Sequence, residues 1–125
     1  MARGPHNLKL VLFGPQIARN TGNIARLCVA AGCELHLVRP LGFVLSDRQL
    51  RRSAMDYWPR VRLTVHDDEG AFSRSMGGGR FWLFSTKAAY AERSLRIPQS
   101  PDERCLNLAT AAGIALYEAI RQVCA

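Results

Sequence analysis

The chain has 125 residues and a mass of 13.9 kDa, enough for one domain and too short for two full cores. Apolar residues make up 48% and charged residues 22%, which argues against disorder, and no apolar run approaches the ~18 residues of a membrane span. Seventeen basic residues against ten acidic give a net charge of +7 and a pI near 9.9, a balance that favours an anionic partner such as nucleic acid.

The opening Met1–His6 has no apolar h-region, so no secretory leader is expected there. Leu8–Phe13 reads as a short strand, broken by Gly14-Pro15. A helix is expected to start near Asn20 or Thr21, both good N-cap types, with Ile24, Leu27, Cys28 and Ala31 on one face and Gly32 as its stop. Glu34–Val38 reads as a second strand. Strand, helix and strand within about thirty residues form a βαβ unit and predict a parallel sheet.

Arg48–Met55 looks helical, and Val61, Leu63 and Val65 alternate with polar residues as in a half-exposed strand. Asp67 or Asp68 can cap a short helix through Met76, and Gly77-Gly78-Gly79 follows as a turn. Phe81–Phe84 reads as a buried strand and Lys87–Arg93 as two helical turns. Pro98 and Pro101 predict an extended loop from Ile97 to Arg104. Asn107 then caps a final helix with Leu108, Ala112, Ala115, Leu116, Ala119 and Val123 on one side.

Cys28, Cys33, Cys105 and Cys124 include no C-x-x-C pair, and His6, His36 and His66 are scattered singly in the sequence. That spacing fits neither a zinc site nor a disulfide framework, so no metal is expected. Buried free thiols in a cytoplasmic protein are the expectation. Fifteen of the seventeen basic residues are Arg. Arg suits planar, bidentate phosphate contacts, although a GC-rich genome produces the same bias. Six Arg and only two acids lie between Arg39 and Arg62, with Tyr57 and Trp58 among them. Arg48, Arg51, Arg52 and Tyr57 are therefore candidate RNA contacts. A solvated helix face with two core aromatics is the alternative.

Neither the Rossmann nor the P-loop fingerprint occurs. The turn from Pro15 to Cys28 stands out instead, because it sets amide and hydroxyl groups ahead of Arg26 at the start of a helix. Ligands of α/β proteins gather at such carboxyl edges, and helix N-termini attract phosphate. A capped helix with a solvated Arg is the bland reading of the same residues.

Pro15–Cys28 resembles the first motif of the SpoU-type branch of the SPOUT RNA 2′-O-methyltransferases. Leu35–Phe43 resembles the family's second strand and loop, and Leu50–Tyr57 a segment typical of its small tRNA wobble-position members. Phe81–Lys87, Arg96–Leu108 and Tyr117-Glu118-Ala119 continue the resemblance in order to the last helix. The resemblance implies one α/β domain, a mostly parallel sheet flanked by helices with a C-terminal trefoil knot, working as a homodimer. It implies S-adenosylmethionine as methyl donor and the 2′-hydroxyl of tRNA nucleotide 34, cytidine or uridine, as acceptor. By motif matching Phe84, Ile97, Cys105 and Asn107 fall in donor-binding segments, and Asn20, Arg26 and Tyr117 at positions linked to catalysis or substrate placement.

The sequence departs from that family at one place above all. Between the Phe81–Lys87 segment and Ile97 the family carries a further strand, a Gly-rich donor loop and a helix, roughly 25–30 residues at ordinary element lengths. Only nine residues, Ala88–Arg96, stand here, and they resemble no buried strand. A true deletion predicts an altered donor site and puts the knot in question. A chain break hidden between Tyr90 and Leu95 is the other explanation. Cys105, Leu106 and Ala109 stand where the family has Ser, Met and Ser, and Ala88 where it has Gly. The rival to a methyltransferase is a catalytically silent RNA-binding or dimerising module on the same scaffold.

Overall fold

The computed structural model describes residues 6–77, 83–84, 94–95 and 107–124. Three parallel strands, β1 (Lys9–Phe13), β2 (Glu34–Val38) and β3 (Leu63–His66), lie in that order in one sheet. Their register sets Val11 beside His36 and Leu12 beside Leu37, and sets His36 beside Thr64. Strand residues alternate between two faces. Leu12, Leu35 and Leu37 enter the main core, where Ile24, Ala25 and Cys28 of α1 (Ala18–Ala31) cover them. Ala112 and Leu116 of α4 (Leu108–Cys124) complete this layer.

The predicted parallel βαβ unit is present, and β2 and the Gly32 stop fall where expected. Gly32 ends α1 at φ 74°, a left-handed conformation that glycine adopts without a Cβ penalty. The start of α1 differs from expectation. The helix begins at Ala18, with Ile17 as an extended cap lacking a side-chain hydrogen bond. Thr21 lies inside the helix, fully buried, and its hydroxyl donates to the Ile17 carbonyl at 3.2 Å. Asn20 is likewise inside the first turn rather than at its cap.

Asp47 accepts from the backbone N–H groups of Gln49 and Leu50 and starts α2 (Arg48–Ala54). A 3-10 turn, Met55–Arg60, follows and carries Pro59. Asp68 caps α3 (Glu69–Met76) by accepting from Ala71 N–H at 2.7 Å. Asn107 caps α4 through Ala109 N–H at 2.8 Å. The buried side of α4 differs from expectation at both ends: Leu108 is 43% and Val123 58% exposed, while Ala109 and Ile120 pack against the core.

Two short strands, β4 (Leu83–Phe84) and β5 (Ser94–Leu95), pair in parallel. The nine residues from Ala88 to Arg96 thus contain a strand after all, two residues long. The helix expected over Lys87–Arg93, the Ile97–Arg104 loop and the chain path between Lys87 and Ile97 lie outside the described residues, apart from β5.

Cys28 and Cys33 are buried free thiols, as expected, whereas Cys124 is exposed. A hydrogen bond with Cys33, reinforced by burial, pushes the Cys28 thiol far up, and the same contact lowers that of Cys33. The histidines are not all single in space. His36 and His66 stack on neighbouring strands with Nδ1 and Nε2 2.9 Å apart, and both are buried. Burial pushes His36 below the ordinary imidazole range, while Glu34, 3.4 Å away, works in the opposite direction.

Candidate RNA methyl-transfer site

The carboxyl edge of the sheet is built by two interlocked loops. Gly14, at φ 57°, donates its N–H to Val38 O at 2.9 Å and joins the end of β1 to the end of β2. Gly42 N–H donates to Pro15 O at 2.9 Å, and a Cβ on Gly42 would lie 2.5 Å from Gln16 O. The loop after β2 therefore packs directly on the turn that launches α1. This close backbone approach fixes where the first residues of α1 point.

Asn20 and Asn107, 87 positions apart, meet here: Asn107 Nδ2 donates to Asn20 Oδ1 at 3.2 Å. One residue expected in catalysis and one expected to hold the donor therefore share the junction between the first turn of α1 and the cap of α4.

Arg26 lies farther along α1, half-buried. Its Nη1 donates to Met55 Sδ at 2.8 Å. No carboxylate pairs with it among the described residues. Met55 sits where α2 gives way to the 3-10 turn, at φ 54° and ψ −138°. It is the one non-glycine residue with positive φ among the described residues. Such backbone costs about 1–3 kcal/mol and gathers at functional sites.

α1, which carries Arg26, and α2, which ends just before Met55, touch through Gly22. A Cβ there would lie 2.5 Å from Leu50 O and 2.5 Å from Ser53 Cβ. Gly22 and Met55 are functional candidates that the sequence reading passed over. A glycine inside an otherwise good helix was the available signal for the first; the second had none, because backbone strain is set by tertiary context.

Arg48, Arg51 and Arg52 are exposed on α2. The aromatic faces nearby already hold cations: Arg51 lies over Trp58 at 5.3 Å and Arg60 over Tyr57 at 4.6 Å. Trp58 packs against the core, so this aromatic follows the core alternative and is not a free stacking platform. Tyr57 is half-buried. Arg62 leaves the patch entirely, because its Nη2 donates to Gly32 O at 2.8 Å, at the opposite end of the sheet. Tyr117 is half exposed on α4, and among the described residues no hydrogen bond ties it to Arg26 or Asn20.

Phe84 ends β4, and its backbone pairs with Leu95. The parallel register brings the carboxyl ends of β4 and β5 to one edge. Ile97 and Cys105 lie outside the described residues. No cluster of three or more His, Cys, Asp or Glu side chains suited to a metal ion occurs among the described residues. Among the same residues no helix is long and apolar enough to cross a membrane.

Residues 7–94 match the model of the SpoU rRNA Methylase family. The chain belongs to that family. A relative from Saccharophagus degradans, named tRNA (cytidine(34)-2′-O)-methyltransferase, is 35% identical over 91% of this chain and 94% of its own length. That alignment runs over 145 positions. Since 91% of 125 residues is about 114, about 31 aligned positions of the relative have no counterpart in this chain. A solved structure described as giving structural insights into the 2-OH methylation of C/U34 on tRNA superposes with a TM-score of 0.88. It shares 40% identity over 96% of this chain and 98% of that chain. An AdoMet-bound rRNA methyltransferase from Sinorhizobium meliloti shares the fold at a TM-score of 0.82. It is 20% identical, over 98% of this chain and 59% of that chain. The SPOUT resemblance of the six sequence segments and the parallel α/β architecture are thereby borne out.

Proposed function

We propose that this SpoU-family protein methylates the ribose 2′-hydroxyl of the cytidine or uridine at position 34 of tRNA, with S-adenosylmethionine as methyl donor. The observation that carries this reading is the 0.88 TM-score and 40% identity to the protein solved for C/U34 methylation, over nearly the whole of both chains. The donor supplies a sulfonium-activated methyl group, so alignment of the attacking oxygen accounts for much of the rate. Phe84, Ile97, Cys105 and Asn107 stand in the segments that would hold the donor.

An arginine side chain offers five N–H donors and no acceptor, so Arg26 is unsuited to act as a general base. Its charge, unpaired by any carboxylate among the described residues, suits it to clamp a phosphate or the charge developing on the 2′-oxygen. Asn20, locked to Asn107, orders the turn beside it. Arg48, Arg51 and Arg52 supply the basic face for the anticodon stem-loop, with Tyr57 held beneath Arg60. Tyr117 belongs to substrate placement in this reading, on the motif match of the last helix. The protein works as a cytoplasmic homodimer, a role for which α4 leaves Ile114 and Tyr117 exposed three positions apart.

Incubation of the full chain with tRNA and methyl-labelled S-adenosylmethionine, followed by nucleoside mapping, tests the reading. Label in 2′-O-methylcytidine or 2′-O-methyluridine at position 34 is the expected result. A second reading has one observation in its favour, the roughly 31 positions of the relative that this chain lacks. Folded protein that binds tRNA, yet gives no calorimetric signal with S-adenosylmethionine and no label transfer, would establish the silent RNA-binding module instead.

A further inference from the structure

We infer that Met55 is a positioning residue for Arg26, holding its guanidinium through a deliberately weak acceptor. Two independent observations meet at this residue. Its thioether sulfur lies 2.8 Å from Arg26 Nη1. Its backbone takes the φ 54°, ψ −138° conformation that places the side chain there, while the residue remains 59% exposed. Here the junction of α2 and the 3-10 turn keeps the strained form.

The chemistry of the pair explains the choice of sulfur. A guanidinium carries five N–H donors and a thioether is only a weak acceptor. Arg26 is thus oriented without being neutralised, and no second acceptor reaches it among the described residues. A carboxylate at position 55 would capture the same group in a charge-assisted bond about twice as strong as a neutral one. An aliphatic residue would leave it to rotate. The weak acceptor lies between these limits and leaves the charge available to an incoming phosphate or 2′-oxygen. The inference rests on the methyl-transfer reading only for the purpose of the hold, since the contact itself belongs to the free protein.

The test compares M55L, M55Q, M55E, M55G and R26A in the full chain by methyl transfer to tRNA, with thermal melting alongside. M55L is expected to lower kcat about tenfold with KM for tRNA within about twofold, as loss of alignment predicts. M55Q, which restores an acceptor, should recover most of that loss, and M55E should fall close to R26A. M55G relieves the backbone and should melt higher than the parent while losing kcat as M55L does. If kcat simply follows melting temperature across the series, or M55L equals the parent while R26A is inactive, the positioning role is overturned. Full activity in R26A would instead remove Arg26 from the site and with it the methyl-transfer role given to that residue. Nuclear Overhauser contacts between the Met55 methyl group and the Arg26 side chain, read without substrate, are expected whatever the activity. Their absence would overturn the contact.

Discussion

Asn107 donates through its Nδ2 to Asn20 Oδ1 at 3.2 Å while its own Oδ1 accepts from the N–H of Ala109 at 2.8 Å. One side chain therefore caps α4 and ties that cap to the first turn of α1. The two jobs use opposite ends of the carboxamide and can be separated. N107A removes both and should lower unfolding free energy by about 1–2 kcal/mol, mostly from the cap. N107D keeps the capping oxygen and removes the donor, so it should melt close to the parent yet behave like N20A in methyl transfer. Thermal melting with a double-mutant cycle on positions 20 and 107 checks both; additive effects would mean that the pair does not act as a unit.

Gly22 is the contact point of α1 and α2. In G22A the new Cβ meets Leu50 O and Ser53 Cβ at 2.5 Å, a backbone atom among them, so the helices must part. A loss of about 1–3 kcal/mol is expected from overpacking at this site, outweighing the gain of up to about 1 kcal/mol that alanine brings to a helix interior. Urea denaturation measures the balance, and a net stabilisation would contradict the packing.

The His36–His66 pair predicts acid sensitivity. Burial lowers the His36 pKa below its ordinary value of 6.5, so the unfolded chain binds more protons than the native one just below that pH. Stability is present above about pH 6.5 and falls as the pH drops from there toward the depressed native value. Two neutral rings 2.9 Å apart share one N–H donor; two protonated rings would set donor against donor and charge against charge. Melting temperature should decline as the pH falls below about 6.5, and H36Q should flatten that decline. A slope unchanged in H36Q would assign it elsewhere.

The basic residues divide into two groups with different salt behaviour. R48A and R52A should each weaken tRNA binding and reduce the salt slope by about 0.7–0.9 per lost phosphate contact. R62A should leave the slope unchanged, because that side chain is engaged on Gly32 O at the far end of the sheet. Its effect should appear in thermal melting instead, through loss of a cation at the C-terminus of α1. Filter binding at several salt concentrations distinguishes the groups.

Local signals made much of the fold legible. Asp68 and Asn107 cap helices because their short polar side chains reach the next backbone N–H groups, and Gly32 stops α1 because it tolerates positive φ. The start of α1 is set by tertiary contacts instead of by a local signal. Asn20 is a good cap in isolation, but the structure spends its carboxamide on Asn107, and Ile17 enters the helix without a side-chain bond. β5 gave no local sign, since two residues become a strand only by pairing with β4. The Arg39–Arg62 cluster is continuous in sequence but not in space. Arg62 precedes β3 and so falls at the amino edge of a parallel sheet, while α2 begins after β2 at the other. At the site, the motif named Arg26 and Asn20, but the partners that hold them, Met55 and Asn107, became evident as partners only in three dimensions.

The absence of any side chain at Gly22 has a mechanical consequence. With no Cβ to space them, the backbones of α1 and α2 bear directly on one another, and Arg26 and the exposed arginines of α2 belong to a single stiff unit. A nucleic acid that settles on Arg48 and Arg52 thus need not pull a distant loop into place. In the proposed reading, tRNA seated on α2 would meet the Arg26 guanidinium at a fixed offset, so that holding the RNA and aiming the charge share one frame.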